Sequence, residues 1–396
     1  MFKFSKEVFI LCFGILMTQF ANMVAPMLTL ILQQQLSLSA TSISYVVAIN
    51  YVALVIASYY GGKIADFYVR KWNIVFCDII SIVLFLIGGL IKFSWITIVL
   101  IILGGSFQQM ELASYNTLVA DYTKEEERDK AYSTFYLFFN IGLFLSTAIS
   151  GFLITKYMHL VFLMNALGIL LSSLVIWLFL PAKKVEKVDK AEDEEKMLVG
   201  IRTIIKSPAL FVYLIMMCVW ESIHNEYTYL VPLEINRAFT SNQTELYGVL
   251  VSFSCLVVVT LTTITANILH GKTHHFKMQI SNISQGLGYF IFFIGIVKVN
   301  IPLLFIGFFV YIMGEIIDSL YYETYMMEKT PEKYRGRVYG VFSVMLKATP
   351  MLFNLIVGVL YDRNPAFSWW FVMGCVVLSM VLTRLIEVID KNTTSD

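Results

Sequence analysis

Twelve runs of mostly apolar residues, each long enough to cross a membrane, recur along the chain. They lie at 8–32, 42–62, 73–92, 95–119, 132–155, 160–181, 208–233, 246–269, 278–298, 302–327, 337–361 and 367–388. A helix needs about 20 such residues to cross the roughly 30 Å hydrocarbon core of a bilayer. In lipid each backbone N–H and C=O must be satisfied within the protein, and for single runs of this length the α-helix does that. The pattern therefore predicts an all-α membrane protein with 12 transmembrane helices. Composition agrees, since 58% of the 396 residues are hydrophobic and 14% are charged, where a soluble domain carries about 25% charged residues. The first run lacks a small-residue cleavage site after a short apolar region, so it reads as a retained span. Pro26, Gly104, Gly105, Gly142 and Pro350 fall inside runs, as membrane helices tolerate.

Charge placement predicts sidedness. With the N-terminus inside, the inner segments hold 23 Lys and Arg, the outer segments hold five, and Lys347 lies within a span. By the positive-inside rule both termini are expected in the cytoplasm, with the plasma membrane as the location. The net charge of +1 and the lack of a water-facing surface exclude nucleic-acid binding. The five cysteines sit inside apolar runs without disulfide or metal spacing. No glycine-rich phosphate loop with its Lys-Ser/Thr is present, which argues against direct ATP drive and against an enzyme. No cofactor or metal is expected, and the chain is expected to be a monomer whose partners are lipid, protons and a small-molecule substrate.

The longest polar stretch, "AKKVEKVDKAEDEEKMLVGIRTIIKS" at 182–207, separates six spans from six. It predicts an N-terminal six-helix bundle (1–181), a cytoplasmic linker (182–207) with an amphipathic helix near 196–206, and a C-terminal six-helix bundle (208–396). Six plus six spans about a long inner loop is the layout of a transporter built from parallel repeats. "DYTKEEERDKAYS" after span 4 and "EKTPEKYRGRVYGVFS" after span 10 form a weak internal repeat at the corresponding places.

Polar residues inside spans are the candidate site, because a charge at the bilayer centre costs about 2.5–3.5 kcal/mol on insertion scales. Span 10 carries Glu315 and Asp318 at i,i+3, on one helix face. Two carboxylates that close repel when both are ionised, which makes one a candidate proton carrier; the alternative is a protonated acid bonded to a neighbouring helix. Span 7 carries Glu221, with His224 and Asn225 on its face and Glu226 turned elsewhere. His224 is either a relay, since histidine titrates near neutrality, or a packing residue. Gln108 and Glu111 share a face of span 4, as Gln19 and Asn22 do in span 1. Each amide either lines a cavity or bridges helices at about 0.6 kcal/mol. Trp220 and Tyr322 flank the carboxylates, and aromatic faces attract cations. The acids outnumber the single mid-span cation, Lys347, so the pocket favours protons or cationic amphiphiles. His274 and His275 read as solvated.

"GGKIADFYVRK" at the end of span 2 resembles the signature loop between helices 2 and 3 of the major facilitator superfamily. Gly62, Asp66, Arg70 and Lys71 fall in register, while Phe67 and Val69 depart from it. "EEERDKAYS" and "EKYRGRVYG" are similar to the loops before helices 5 and 11. The resemblance implies the major facilitator fold, two six-helix bundles that work by alternating access around a cavity lined by spans 1, 4, 7 and 10. It also implies a conformational latch of Gly62, Asp66, Arg70 and Lys71 with Arg128, Arg335 and Arg337. "YIMGEIIDS" and "VMLKATP" resemble the proton-coupled multidrug efflux branch, which implies a proton-coupling role for Glu315. Span 5 lacks that branch's Gly-Pro core, and span 4 lacks its arginine. Span 1 has no Glu-x-x-Glu-Arg run of the kind proton-coupled peptide carriers suggest. The expected function is proton-coupled export of small amphipathic, cationic compounds. The alternatives are proton-coupled nutrient uptake and, from another class, a non-transporting membrane sensor or scaffold.

Overall fold

Helix accounts for the apolar runs, and no strand occurs among the described residues. The structure, a computed structural model, describes residues 5–67, 69–124, 127–182, 193–239 and 241–393. In chain order the helices are α1 (Lys6–Ala21), α2 (Leu28–Leu36), α3 (Ala40–Phe67), α4 (Arg70–Leu90), α5 (Trp95–Asp121), α6 (Arg128–Leu153) and α7 (Met158–Phe179). They continue with α8 (Asp193–Lys206), α9 (Pro208–Ala238), α10 (Gln243–Ile268), α11 (His274–Val297) and α12 (Ile301–Ser319). The last three are α13 (Tyr322–Lys329), α14 (Arg335–Arg363) and α15 (Pro365–Thr393). Among the described residues eleven spans are long and apolar enough to cross a membrane. A twelfth counts if Leu198–Lys206 and Pro208–Ala238, which meet at 108°, form one span.

Local chemistry sets the starts of several helices. Ser94 and Thr97 form a capping box at the start of α5. Thr273 accepts from the Phe276 amide, Asn300 from Leu303, and Ser207 from Leu210, each satisfying an N–H that a helix start leaves orphaned. Pro208 and Pro302 sit at first-turn positions where the missing N–H is harmless. The first apolar run is not one helix. α1 stops at Ala21, a 3₁₀ turn with Pro26 follows at Ala25–Met27, and α2 resumes at Leu28. Pro26 offers no backbone donor, which favours a break at this point.

The chain divides into two compact units. The first comprises Met1–Leu38, Ile49–Asp189 and Asn242–Cys255. In it α4 packs on α5 and α7, while α1 packs on α6 and α7. Several polar groups in this packing pair with one another: Ser172 Oγ accepts from Thr18 (3.1 Å) and meets Tyr115 Oη (2.8 Å), and Asn73 donates to Ser114 (2.8 Å). A Cβ on Gly61 would strike the Met110 backbone, so α3 approaches α5 closely there; Gly62, the residue in register with the signature loop, has no such neighbour.

The second unit comprises Ser39–Ala48, Lys190–Ser241 and Leu256–Asp396. α9 packs on α14 and α15, and α11 packs on α12 and α15. The α11–α12 seam depends on glycine: a Cβ on Gly288 would sit 2.5 Å from the Tyr311 amide nitrogen, and one on Gly307 2.6 Å from that of Phe292. Small residues allow such backbone approach between membrane helices. The Asp362 carboxylate accepts from the amides of Ala40 (3.0 Å) and Thr41 (2.9 Å), and Tyr229 Oη donates to the Ala40 carbonyl (2.6 Å). Buried Glu234 is held by Arg237, by two bonds of 2.8 Å, and by Trp369 Nε1 at 2.8 Å. The linker's expected amphipathic helix is α8; it packs against α14, with Gly200 facing the Arg337 backbone. Residues 183–192 of the linker lie outside the described residues.

Candidate functional site

Sequence-predicted residues collect at two places, one in each unit. In the first unit Gln19, Asn22, Gln108 and Glu111 all line one cavity of ≈ 190 Å³. Its wall also carries Asn50, Gln109 and Asn165, so six carboxamides surround it. The break between α1 and α2 is part of this wall, through Asn22, Val24, Ala25 and Leu28. Irregular backbone at membrane depth is tolerated where it lines a cavity, and such broken helices commonly build solute sites in transporters. Asn22 Nδ2 reaches Gln19 Oε1 at 3.5 Å, while the Asn22 carbonyl accepts from Ser146 at 2.8 Å. Gln108 Nε2 and Asn165 Oδ1 are buried with no hydrogen-bond partner among the described residues.

The second collection is centred on His224. Tyr311 Oη lies 2.6 Å from His224 Nδ1 and 3.3 Å from the His224 carbonyl. Glu315 Oε2 is 3.9 Å from the same ring nitrogen, with its side chain 30% exposed. Tyr311 and Glu315 stand at i,i+4 on α12, and Glu221 and His224 at i,i+3 on α9, so two helix faces supply the four groups. Trp220 stacks on the His224 ring at 5.3 Å and 5°, and Tyr227 covers it at 5.2 Å. Tyr289 packs on Tyr311 at 4.9 Å and donates to the Ile223 carbonyl at 2.7 Å. Asn225 Oδ1 accepts from Asn354 at 3.2 Å. Asp318 is buried next to Tyr321, and its Oδ1 has no hydrogen-bond partner among the described residues. Such a cluster can bind a proton at Glu315 or His224 and pass it through Tyr311, whose hydroxyl both donates and accepts.

Other expected residues lie apart from these two places. Glu226 is fully buried, and neither of its oxygens meets a side-chain donor among the described residues. Tyr322 is half-buried at the start of α13, where its carbonyl accepts from Tyr213 (3.0 Å). Lys347 is exposed. Of the latch residues, Arg70 forms an ion pair with Asp121 and donates from Nε to the Ala65 carbonyl (3.0 Å). Lys71 is buried with its ammonium over the Trp72 ring. Arg335 donates to the Met327 carbonyl (3.1 Å), Arg337 stacks over Tyr334, and Arg128 is exposed. The Asp66 side chain lies outside the described residues. His274 and His275 are not free in solvent: they bond Glu328 (3.2 Å) and Asp390 (3.0 Å).

The polar residues gathered here are not confined to spans 1, 4, 7 and 10, the cavity lining that the resemblance implies. Asn50 of α3, Asp78 of α4 and Asn165 of α7 are also at the cavity or against Glu111. Asp78 carried the same signal as the acids that were singled out, a charge within an apolar run. Tyr311 carried none, being one aromatic among many.

The family model of the Major Facilitator Superfamily matches residues 10–353. The chain belongs to the Major Facilitator Superfamily. As a member of it, the chain is a secondary transporter and not an enzyme; the match reaches the superfamily and stops short of the multidrug efflux branch. Among solved structures, this facilitator is similar to a mutant peptide transporter POT in complex with alafosfalin, with a TM-score of 0.78 and 16% identity, covering 97% of this chain and 95% of that one. A POT family transporter bound to a thioalcohol-conjugated peptide gives a TM-score of 0.78 at 14% identity, covering 97% and 96%. A mutant of the nucleoside transporter NupG gives 0.76 at 16% identity, covering 96% and 98%. No curated protein matches the chain closely enough to count as a relative.

Proposed function

We propose that this facilitator couples proton movement to uptake of a small, uncharged, hydrogen-bond-rich solute of the nucleoside kind. The observation that carries the reading is the amide-lined cavity. Six carboxamides offer donors and acceptors to a polar solute, and no cation among its lining residues is there to hold a carboxylate. That chemistry favours a nucleoside over a peptide, which brings a carboxylate with it. Peptide and nucleoside transporters both stand among the solved neighbours, so the choice rests on the cavity's own chemistry. Protons bind at the Glu221–His224–Tyr311–Glu315 cluster, and Asp318 tunes it. The two six-helix bundles expected at 1–181 and 208–396 alternate access to the solute, both termini are cytoplasmic, and the membrane is the plasma membrane. The signature-loop residues Gly62, Asp66, Arg70 and Lys71 act with Arg128, Arg335 and Arg337 as the conformational latch.

A second reading, proton-driven export of lipophilic cations, draws on the aromatic rings of Trp220, Tyr227 and Tyr311 around His224, with Glu315 beside it. One panel separates the two. Proteoliposomes holding the purified protein are given an inward proton gradient and labelled uridine, a labelled dipeptide or ethidium. Gradient-dependent uridine accumulation supports the uptake reading. Ethidium extrusion that a protonophore abolishes, with no uridine flux, overturns it in favour of export.

A further inference from the structure

The proton cluster described above belongs entirely to the second unit, yet the first unit holds two buried acids that it does not use. Asp78 on α4 is 0% exposed and Glu111 on α5 is 1% exposed. Their carboxyl groups lie within hydrogen-bonding reach of each other, with the Ser173 hydroxyl beside Asp78. None of their four oxygens has a geometrically sound donor among the described residues. Two buried carboxylates this close and without donors do not both ionise, so at least one of them is protonated.

Among the described residues no cation acts on the pair. The titratable groups facing the pair are the Cys77 thiol and the Tyr115 phenol. α7 contributes Ser172, Ser173 and Asn165, and α1 contributes Thr18 and Gln19, all uncharged. The cations nearest along α4, Arg70 and Lys71, stand about 10 Å or more away along the helix axis at 1.5 Å per residue. A neutral or singly charged pair is therefore the state this packing supports.

Two further features point outward from the pair. Glu111 forms part of the wall of the amide-lined cavity. Asn165, 1% exposed, is in the same wall, its Oδ1 without a partner among the described residues. The cavity volume of ≈ 190 Å³ far exceeds the roughly 10–15 Å³ that one water needs. A hydroxyl series, Tyr115 to Ser172 (2.8 Å) to Thr18 (3.1 Å), runs from beside the pair to the cavity wall.

We propose that Asp78 and Glu111 form a second proton-binding site, an acid pair that exchanges one proton with water in the amide-lined cavity. The pair alternates between a doubly protonated, neutral form and a form that shares a single proton and carries one negative charge. The released proton goes to cavity water, and no other bond changes. This site stands on the geometry of the first unit alone and does not depend on which solute is carried or in which direction. With it, the carrier holds an exchangeable proton in each unit.

Infrared difference spectroscopy of the purified protein in lipid nanodiscs, stepped across about pH 5 to 10, tests this directly, because a protonated carboxyl C=O stretch disappears on ionisation. The wild type is expected to show a titrating carboxyl band that Glu315→Gln leaves in place. Asp78→Asn and Glu111→Gln are each expected to move its midpoint by about one pH unit or more, since the two acids titrate as a pair. The double variant is expected to lose the band. If the double variant does not fold, judged by its elution and thermal unfolding, the two isosteric single variants carry the test. A band that never titrates in this range means a permanently neutral hydrogen-bonded bridge and overturns the proposal. So does a titrating band that neither single variant moves. Because the signal reads proton binding without transport, a failure of the uptake reading leaves this result interpretable.

Discussion

Tyr311 gives the His224 ring a hydrogen-bond partner and so makes it a member of the proposed proton cluster. Its hydroxyl is 2.6 Å from Nδ1, and the next acid, Glu315, sits at 3.9 Å from the same nitrogen. Tyr311→Phe keeps the ring on Tyr289 but removes that bond. A hydrogen bond lost from a buried partner costs about 1–2 kcal/mol, so gradient-driven transport is expected to slow on the order of tenfold, while downhill exchange of the same solute changes little. Initial rates under the two conditions check this; an equal fall in both means that Tyr311 only packs. At this scale the sequence was legible through one physical rule, the cost of an acid in lipid. That rule leads to Glu315, Glu221 and Glu111, and applied evenly it leads to Asp78 as well. It is silent about Tyr311 and Asn165, because neutral polar groups cost little until their neighbours are known.

Helices in this protein are placed by small contacts that hydropathy does not register. Gly288 lets α11 touch the Tyr311 backbone, and so sets where Tyr311 and Glu315 stand relative to α9. Gly288→Leu is expected to destabilise the protein by about 1–3 kcal/mol through overpacking, lowering its thermal unfolding temperature in detergent and impairing transport with it. Gly62→Ala is the contrast: a Cβ there meets nothing within 4 Å, so the same melting assay should move by no more than about 0.5 kcal/mol. Asp362 shows a third kind of contact, a carboxylate over the first amides of α3. Asp362→Ala is expected to cost about 1 kcal/mol, as removal of a helix cap does, and thermal unfolding reads that too. The break between α1 and α2 was hidden in the sequence, since an apolar run scores alike whether or not its backbone stays helical. α9 was hidden in the opposite way. Glu221, Glu226, Glu234 and Arg237 lower its apolar score, so by length and composition it counts as a span only together with Leu198–Lys206.

The whole molecule was legible in outline because the bilayer leaves few options. Apolar runs of the right length must become helices, and among the described residues eleven spans result, or twelve with the bent pair. Membership of the superfamily follows from residues 10–353, and the superfamily fold accounts for why span-embedded polar residues gather at cavities. The solute was not legible. Short motifs resembled drug exporters, whereas the solved neighbours named above, at 14–16% identity, are peptide and nucleoside transporters. Identity this low carries the fold without the chemistry of selection, so the cavity's own amides have to supply the argument. The central claim is that a proton taken up at the Glu315–His224–Tyr311 cluster drives the solute uphill. Solute accumulation in proteoliposomes under an imposed proton gradient, compared between wild type and Glu315→Gln, measures it most directly. The account predicts that the Gln variant exchanges solute downhill but no longer concentrates it. A Gln variant that concentrates solute as the wild type does would contradict the account.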